Sequence, residues 1–115
     1  MKKLSYEMAL NASKKELRNV LSENPNYKHF KVGKTTLSLD QRFGDNYDGK
    51  YDDIELLFDG GQKGELIDWL EKAMIDYSLK TYGEKVCDNR QDGGGPDCAD
   101  HTSDDNTAKL YVVWR

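Results

Sequence analysis

Hydrophobic positions near the start of the chain recur with the period of a helix. The residues that define this period are Leu17, Val20 and Leu21. Ser13-Lys14-Lys15-Glu16 has the sequence of a capping box, so the helix is predicted to begin at Ser13 and to continue to about Glu23. Asn24-Pro25-Asn26 then ends it. The apolar residues at positions 4–10 fit either a short strand or a lead-in to the helix.

Three later segments have the residue pattern of strands. The first covers residues 27–32 and leads into Gly33-Lys34-Thr35, which is predicted to be a turn. The second covers residues 54–58, and three of its apolar side chains are expected on one face: Ile54, Leu56 and Phe58. The third is the apolar run 109–114 near the end of the chain.

Two more helices complete the predicted elements. Residues 37–43 fit a short helix or turn, and residues 44–53, with two glycines and four aspartates, fit a loop. Residues 62–82 form the longest helix, which Gly83 ends as a C′ residue. Its apolar stripe is Leu66, Ile67, Leu70, Met74 and Tyr77. Residues 84–106, with three consecutive glycines, are predicted to be a long irregular segment.

The order of these elements is (β)-α-β-α-β-α-loop-β. It predicts the α+β class, with a small mixed sheet flanked by helices. The length of 115 residues predicts a single domain over residues 1–115.

Composition and charge restrict the class of protein. Hydrophobic residues make up 37 % and charged residues 33 %, and seven Tyr, three Phe and two Trp supply enough bulk for one core. Residues 1–42 carry nine basic and four acidic side chains, or +5, whereas residues 43–115 carry eight and seventeen, or −9. This uneven distribution leaves room for a basic, nucleic-acid-binding face built from the first third.

Two segments partly match known ligand-binding loops but lack residues that those loops require. Gly33-Lys34-Thr35 lacks the glycine that a nucleotide-binding P-loop needs five residues earlier, because position 28 is Lys. The segment that starts at Asp88 has Arg90 at the third position of a calcium loop and Ala99 at the twelfth, so it is not predicted to hold calcium.

The two cysteines are expected to be free thiols rather than a disulfide, since no secretion signal is predicted. Cys87 and Cys98, with His101, would supply only three zinc ligands at spacings that match no standard pattern. No run of eighteen apolar residues occurs, so no membrane span is predicted.

Two polar side chains are candidates for chemistry. Glu71 lies one helical turn from Ile67 and Met74, so it borders the apolar stripe, where a carboxylate needs a cation, a donor or a proton. A structural ion pair with a nearby Lys or Arg is one interpretation, and a functional carboxylate is the other. Arg42 follows Gly33-Lys34-Thr35, a segment with donors for a phosphate, or is a plain surface arginine.

In their order, these residues resemble the GIY-YIG nuclease family. The matching residues, between positions 27 and 95, are Phe30-Lys31-Val32-Gly33-Lys34-Thr35, Arg42-Phe43, Trp69-Leu70-Glu71, and Asn89 followed by Gly93-Gly94-Gly95. In that family a strand ends in a Tyr-Ile-Gly or Tyr-Lys-Ile-Gly signature, an arginine follows, a helix contributes a glutamate, and an asparagine ends the next segment. The family's Gly-Ile-Tyr triplet does not occur before Gly33.

The resemblance implies Mg²⁺-dependent hydrolysis of a DNA phosphodiester. Glu71 would hold one Mg²⁺, which would polarise the phosphodiester and stabilise the leaving oxygen. Arg42 would neutralise charge on the scissile phosphate, and a tyrosine would activate water. Tyr27 and Tyr6 are the expected tyrosines, and Asn89 would be a positioning group near the site.

Three functions remain open from the sequence. The first is a nuclease with this chemistry. The second is a degenerate member of the fold that binds nucleic acid without cutting it, through Lys28, Lys31, Lys34, Thr35 and Asn89. The third is a small acidic interaction or inhibitor protein of a viral or mobile-element type, whose −9 portion faces a basic partner. The expected location is the cytoplasm, of the host if the protein is viral.

Overall fold

The last strand of the chain is the central strand of the sheet. In the computed structural model, which describes residues 2–89, 98 and 101–115, the elements are α1 (Lys2–Glu23), β1 (Phe30–Thr35), α2 (Leu39–Asn46), β2 (Asp53–Gly61), α3 (Gly64–Tyr82) and β3 (Ala108–Trp114). Both strand pairings are antiparallel, in the order β1-β3-β2. A parallel bridge between Phe30 and Cys87 extends the outer edge of β1. The predicted α+β class is confirmed.

Alternation along the strands divides the apolar side chains between the two faces of the sheet. Helices α1 and α3 cover one face, and the main core there includes Phe30 and Val112. Helix α2 covers the other face, where a smaller cluster contains Tyr47, Tyr111 and Val113. Because successive strand residues point to opposite faces, β3 contributes to both clusters.

Helix α1 begins earlier than the predicted capping box. It is one helix over Lys2–Glu23, so the predicted start at Ser13 is wrong and positions 4–10 are helical. The Ser13 hydroxyl is buried and donates to the Ala9 carbonyl oxygen at 2.7 Å, inside the helix. Ala9 and Ser13 continue the buried stripe of Leu17 toward the N-terminus, and their small side chains leave room for the neighbouring elements to pack.

The predicted turn at Gly33-Lys34-Thr35 is also wrong, because all three residues belong to β1 and pair with β3. Glycine is required at position 33 for space, since a Cβ there would lie 2.5 Å from Cζ of Tyr111. With the strand continuing, Lys34 points to the face that α3 covers, and Gly33 faces the α2 side.

Strand β2 is longer than predicted and irregular. Its register against β3 shifts between Leu56 and Phe58, which is the signature of a bulge. Ile54 packs on the smaller cluster, whereas Phe58 packs against the main core on the other face of the sheet. The predicted common face of Ile54, Leu56 and Phe58 is wrong, because the bulge changes the side to which the later residues point.

The remaining helices and β3 agree with the predicted positions. Helix α2 is capped by Ser38, whose hydroxyl accepts the Gln41 N–H at 3.2 Å. It ends at Asn46, three residues beyond the predicted end at position 43. Helix α3 ends at Gly83, which has φ 85°. Within the described ranges, no helix has the length and apolar content needed to cross a membrane.

The segment between α3 and β3 is described only in part. Cys87 and Cys98 are both buried and are not joined in a disulfide. The Gly93-Gly94-Gly95 run of the resemblance, and the calcium-loop positions Arg90 and Ala99, lie outside the described residues.

Candidate functional site

A cleft of about 240 Å³ lies beside β1 and also receives side chains from four other parts of the chain. Arg42 comes from α2, Glu71 from α3, Asn89 from the segment after α3, and Tyr111 from β3. The cleft is also lined by Lys31, Gly33, Lys34, Asn46 and Tyr47. The structure thus brings together Arg42 and Glu71, which stand 29 positions apart in the sequence.

A pair of tyrosine hydroxyls holds Arg42 in the cleft. Nε of Arg42 donates to Oη of Tyr111 at 3.2 Å, and Oη of Tyr111 lies 2.6 Å from Oη of Tyr47. This bond uses one of the five N–H donors of Arg42, so donors on the two Nη groups remain for a ligand. Burial alone would lower the pKa of Arg42, but the hydrogen bond and charge interactions with Tyr111 and Tyr47 raise it.

The tyrosine pair has a hydrogen to donate. Each hydroxyl carries one hydrogen, and only one of the two is used between Tyr47 and Tyr111. Burial, followed by the interaction with Tyr47, raises the pKa of Tyr111, and the Arg42 guanidinium only partly opposes this shift. Both effects favour the protonated phenol of Tyr111, so Tyr111 is suited to hydrogen bonding and not to acting as a base.

Glu71 is buried, and its ionic partner is Lys34. The Glu71 side chain is 5 % exposed, and its Oε1 lies 3.6 Å from Nζ of Lys34. Lys34 is held more closely by Asp68, whose Oδ1 accepts from Nζ at 3.0 Å. Asp68 also accepts the backbone N–H of Cys98 at 2.7 Å, so the ammonium lies in a preformed position.

The pKa of Glu71 is raised, first by burial and then by the nearby Asp68, while Lys34 and Arg42 act in the opposite direction. The cost of burying the carboxylate therefore outweighs its favourable interactions with Lys34 and Arg42. A buried acid with a raised pKa in a cleft is a common feature of functional sites. The two interpretations of Glu71 coincide here, because it has both an ion-pair partner and a place in the cleft.

Asn89 serves the sheet as well as the cleft. Its Oδ1 accepts the Val32 N–H at 2.8 Å, and its Nδ2 donates to the Val32 carbonyl oxygen at 2.7 Å. The side-chain amide thereby pairs with β1 as a neighbouring strand would. The Cys87 thiol also donates to Oδ1, at 3.3 Å. One Nδ2 hydrogen is left over from these bonds.

Several predicted site residues lie away from the cleft. Tyr6 packs on Trp69, with ring centroids 5.0 Å apart, and Tyr27 packs against Phe30 at 6.2 Å. Lys28 is exposed at the end of the sheet, and the Thr35 hydroxyl is taken by the Leu37 N–H at 3.0 Å. Of the predicted nucleic-acid contacts, those that line the cleft are Lys31, Lys34 and Asn89.

Three residues at or beside the site were not identified from the sequence: Tyr47, Tyr111 and Asp68. Asp68 could have been identified from helical spacing, because it lies three residues before Glu71 and so shares its helix face. Tyr111 stands in an apolar run, and its hydroxyl requires a polar partner when buried. No local pattern indicates which partner that is, and Tyr47 gave no signal beyond its nearness to Arg42.

The lining of the cleft is positively charged. Lys31, Lys34 and Arg42 oppose the single carboxylate of Glu71, a surplus of two charges that Asp68, behind Lys34, reduces to one. Together with the phenol hydrogen and the Nη donors of Arg42, this arrangement fits an anion with several acceptor oxygens, such as a phosphodiester.

A divalent cation finds a minimal donor set in the cleft. Among the residues that the structure describes, no three His, Cys, Asp or Glu side chains are grouped to hold a metal ion. Mg²⁺, however, keeps several waters and is often held by one carboxylate together with phosphate oxygens of the substrate. Glu71 lines the cleft and could supply that carboxylate, with Nζ of Lys34 3.6 Å from its Oε1.

No protein-family model, curated protein or solved structure matches the chain.

Proposed function

We propose that the cleft binds a phosphodiester of DNA and hydrolyses it, as the resemblance to GIY-YIG nucleases implies. The observation that carries the proposal is the convergence of Arg42 and Glu71, from different helices, on one cleft that also contains the Tyr47–Tyr111 pair. These groups supply a guanidinium, a carboxylate and a phenol within one concavity, which is the set of functional groups that the resemblance implies.

The residues of the cleft divide into anion-binding and positioning groups. The Nη groups of Arg42 would bind two phosphate oxygens, and their charge would offset the charge that grows on the phosphate in the transition state. The remaining phenol hydrogen of the Tyr47–Tyr111 pair would donate to a third oxygen. Because Nε of Arg42 is bonded to Tyr111, the guanidinium plane is fixed before the ligand arrives.

Hydrolysis joins a water oxygen to phosphorus and breaks one P–O ester bond, so the water loses a proton and the leaving oxygen gains one. Glu71 would hold Mg²⁺, and the ion would supply a more acidic water and charge stabilisation at the leaving oxygen. Burial keeps the Tyr111 phenol protonated, so it would carry a proton for the leaving oxygen, but its raised pKa makes it a weaker acid than an ordinary tyrosine. In this respect the proposal differs from the expectation that a tyrosine activates water.

A second candidate, DNA binding without cleavage, is favoured by the contact between Lys34 and Glu71. An ammonium 3.6 Å from the carboxylate competes with a metal for that side chain. In this case the cationic lining would bind phosphates and no ester bond would break. A protein partner for the acidic portion and a cytoplasmic location stay predictions from the sequence.

Nicking of a supercoiled plasmid in the presence of Mg²⁺ tests the first candidate. Arg42→Lys keeps the charge but loses the planar fork and the bond to Tyr111, so the rate should fall by about 100-fold. The nicking rate of Glu71→Gln should fall by at least as much. Arg18→Lys is the matched control, because Arg18 also donates to a tyrosine hydroxyl, that of Tyr77 at 3.5 Å, but does not line the cleft.

The outcomes separate the two candidates. Nicking that is lost in Arg42→Lys and retained in Arg18→Lys supports a nuclease. Equal nicking by the wild type and Glu71→Gln would remove Glu71 from the reaction. Salt-sensitive DNA binding that needs Arg42, without nicking at any Mg²⁺ concentration, would establish the binding-only function.

A further inference from the structure

Lys34 differs from the other two cations of the cleft in what surrounds its charge. Its side chain is 5 % exposed, and its Nζ lies between two carboxylates, 3.0 Å from Asp68 and 3.6 Å from Glu71. Arg42 instead contacts neutral phenols, and Lys31 makes no ion pair with a described residue. A metal ion bound to Oε1 of Glu71 would therefore lie close to this ammonium.

We infer that Lys34 is a built-in counter-cation of Glu71, which weakens divalent-metal binding there and lets the cleft bind nucleic acid without a metal. The inference rests on the proposed phosphodiester site, but it assigns to Lys34 a role in setting metal affinity that the proposed function does not contain. Lys34 acts on the metal through Glu71 and is a positioning residue.

Electrostatics gives the direction of this effect. Lys34 and Arg42 together balance Glu71 and Asp68, so the two carboxylates do not require a metal for charge compensation. A divalent ion at Glu71 would be repelled by the nearby ammonium in a site with little water to screen it. Asp68 restrains the lysine, since the hydrogen bond at 3.0 Å must break before the ammonium can move away.

A phosphate is attracted by the ammonium of Lys34, whereas a divalent cation is repelled by it. The ammonium lies at the wall of a cleft that already has Arg42 and Lys31, so it adds to the attraction of an anion. Lys34 thus favours nucleic acid and disfavours a free divalent ion. The nucleic acid is expected to bind first, and its phosphate oxygens then complete the ligands that Glu71 alone cannot supply.

Mn²⁺ titration monitored by electron paramagnetic resonance measures metal affinity without any cleavage assay, since Mn²⁺ prefers the same oxygen ligands as Mg²⁺. Lys34→Met and Lys34→Gln remove the charge, and we expect both to bind Mn²⁺ at least about tenfold more tightly than the wild type. Lys34→Gln keeps a donor for Asp68, so it serves if Lys34→Met does not fold. Lys34→Arg keeps the charge and should remain close to the wild type.

Lys31→Gln is the matched control, because Lys31 is in the same strand and lines the same cleft without an ion pair to Glu71. Tighter Mn²⁺ binding in the Lys34 variants but not in Lys31→Gln supports the inference. Unchanged or weaker binding in Lys34→Gln, an equal gain in Lys31→Gln, or no Mn²⁺ binding by any variant would overturn it.

Binding of a fluorescent oligonucleotide in EDTA tests the second half of the inference. The wild type should bind as tightly in EDTA as in Mg²⁺, and a requirement for Mg²⁺ would overturn the claim of metal-free binding. If the wild type binds no oligonucleotide under either condition, the proposed function fails, whereas the Mn²⁺ titration still decides the role of Lys34.

Discussion

The ring of Tyr111 occupies the space that a side chain at Gly33 would need. The two residues are paired across β1 and β3, and a Cβ on Gly33 would lie 2.5 Å from Cζ and 2.8 Å from Cε1 of Tyr111. The tyrosine is fully buried, with its hydroxyl held by Arg42 and Tyr47. Gly33 therefore makes room for a phenol from the other end of the chain.

Gly33→Ala is expected to push Tyr111 from its place. The overpacking should lower the free energy of unfolding by about 1–3 kcal/mol, measured by urea denaturation, and should weaken oligonucleotide binding because Arg42 loses its support. Gly60→Ala is the matched control: its Cβ would lie 2.5 Å from Ile67, away from the cleft, so stability should fall without a change in binding.

An exposed glycine provides the opposite comparison. Gly44 lies in α2, and a Cβ there meets no atom within 4 Å, so Gly44→Ala should raise the free energy of unfolding by about 0.5–1 kcal/mol.

The Gly33→Ala prediction would be contradicted by oligonucleotide binding at the wild-type level. That result would show that the Gly33–Tyr111 contact does not support the cleft.

The hydroxyl pair should behave as a coupled unit. Tyr47→Phe and Tyr111→Phe are each expected to cost about 1 kcal/mol of unfolding free energy, because each leaves one buried hydroxyl with fewer partners. The double variant should cost less than the sum of the two, and a double-mutant cycle measures the difference. Tyr82→Phe is the control, since its hydroxyl bonds to no described residue. Strict additivity would contradict a shared hydrogen bond.

Glu71→Gln should stabilise the protein in a pH-dependent way. The folded state raises the pKa of Glu71, so its contribution is most favourable below the ordinary glutamate pKa and is lost as pH rises through the raised value. The glutamine variant has no such loss, and Lys34 retains Asp68. Its advantage in chemical denaturation should be absent at acidic pH and present at neutral pH.

Glu65→Gln is the matched control for this pH dependence. Glu65 lies in the first turn of the same helix, where a negative charge is favourable, so its replacement should not stabilise at neutral pH. A Glu71→Gln variant that is less stable than the wild type at neutral pH would mean that the pairing with Lys34 outweighs the burial of the carboxylate.

Asn89→Asp should destabilise the fold more than its small change in shape suggests. An aspartate cannot donate to the Val32 carbonyl oxygen, and its charge would lie beside that oxygen in a buried position. We expect a loss of about 1–3 kcal/mol in the free energy of unfolding. Asn46→Asp, at an exposed position that lines the same cleft, should have little effect. Equal losses in the two variants would show that the bonds to Val32 contribute nothing measurable.

Periodicity in the sequence predicted the elements because each depends on neighbours within one turn or one strand. The stripe from Leu66 to Met74 defined α3, and the apolar run at residues 109–114 defined β3. The predictions from local pattern were wrong in two places. At Ser13 a small polar residue inside α1 was read as a helix start, and in β2 a bulge changed the alternation of side chains. Gly33 was assigned to a turn since a glycine that makes space for a distant ring has the same local appearance as a glycine that ends a strand.

The sequence by itself determined the α+β class, Arg42 and Glu71 as candidate residues, and the basic character of the first third, because these depend on residue type and spacing. Only the tertiary structure decided the placement of the phenols. Tyr6 and Tyr27, which precede Gly33 along the chain, pack elsewhere, while β3 returns Tyr111 to Gly33 from 78 positions away. The tertiary structure likewise placed Lys34 beside Glu71. Strand pairing joins residues regardless of their separation in sequence, so no local pattern contains that information.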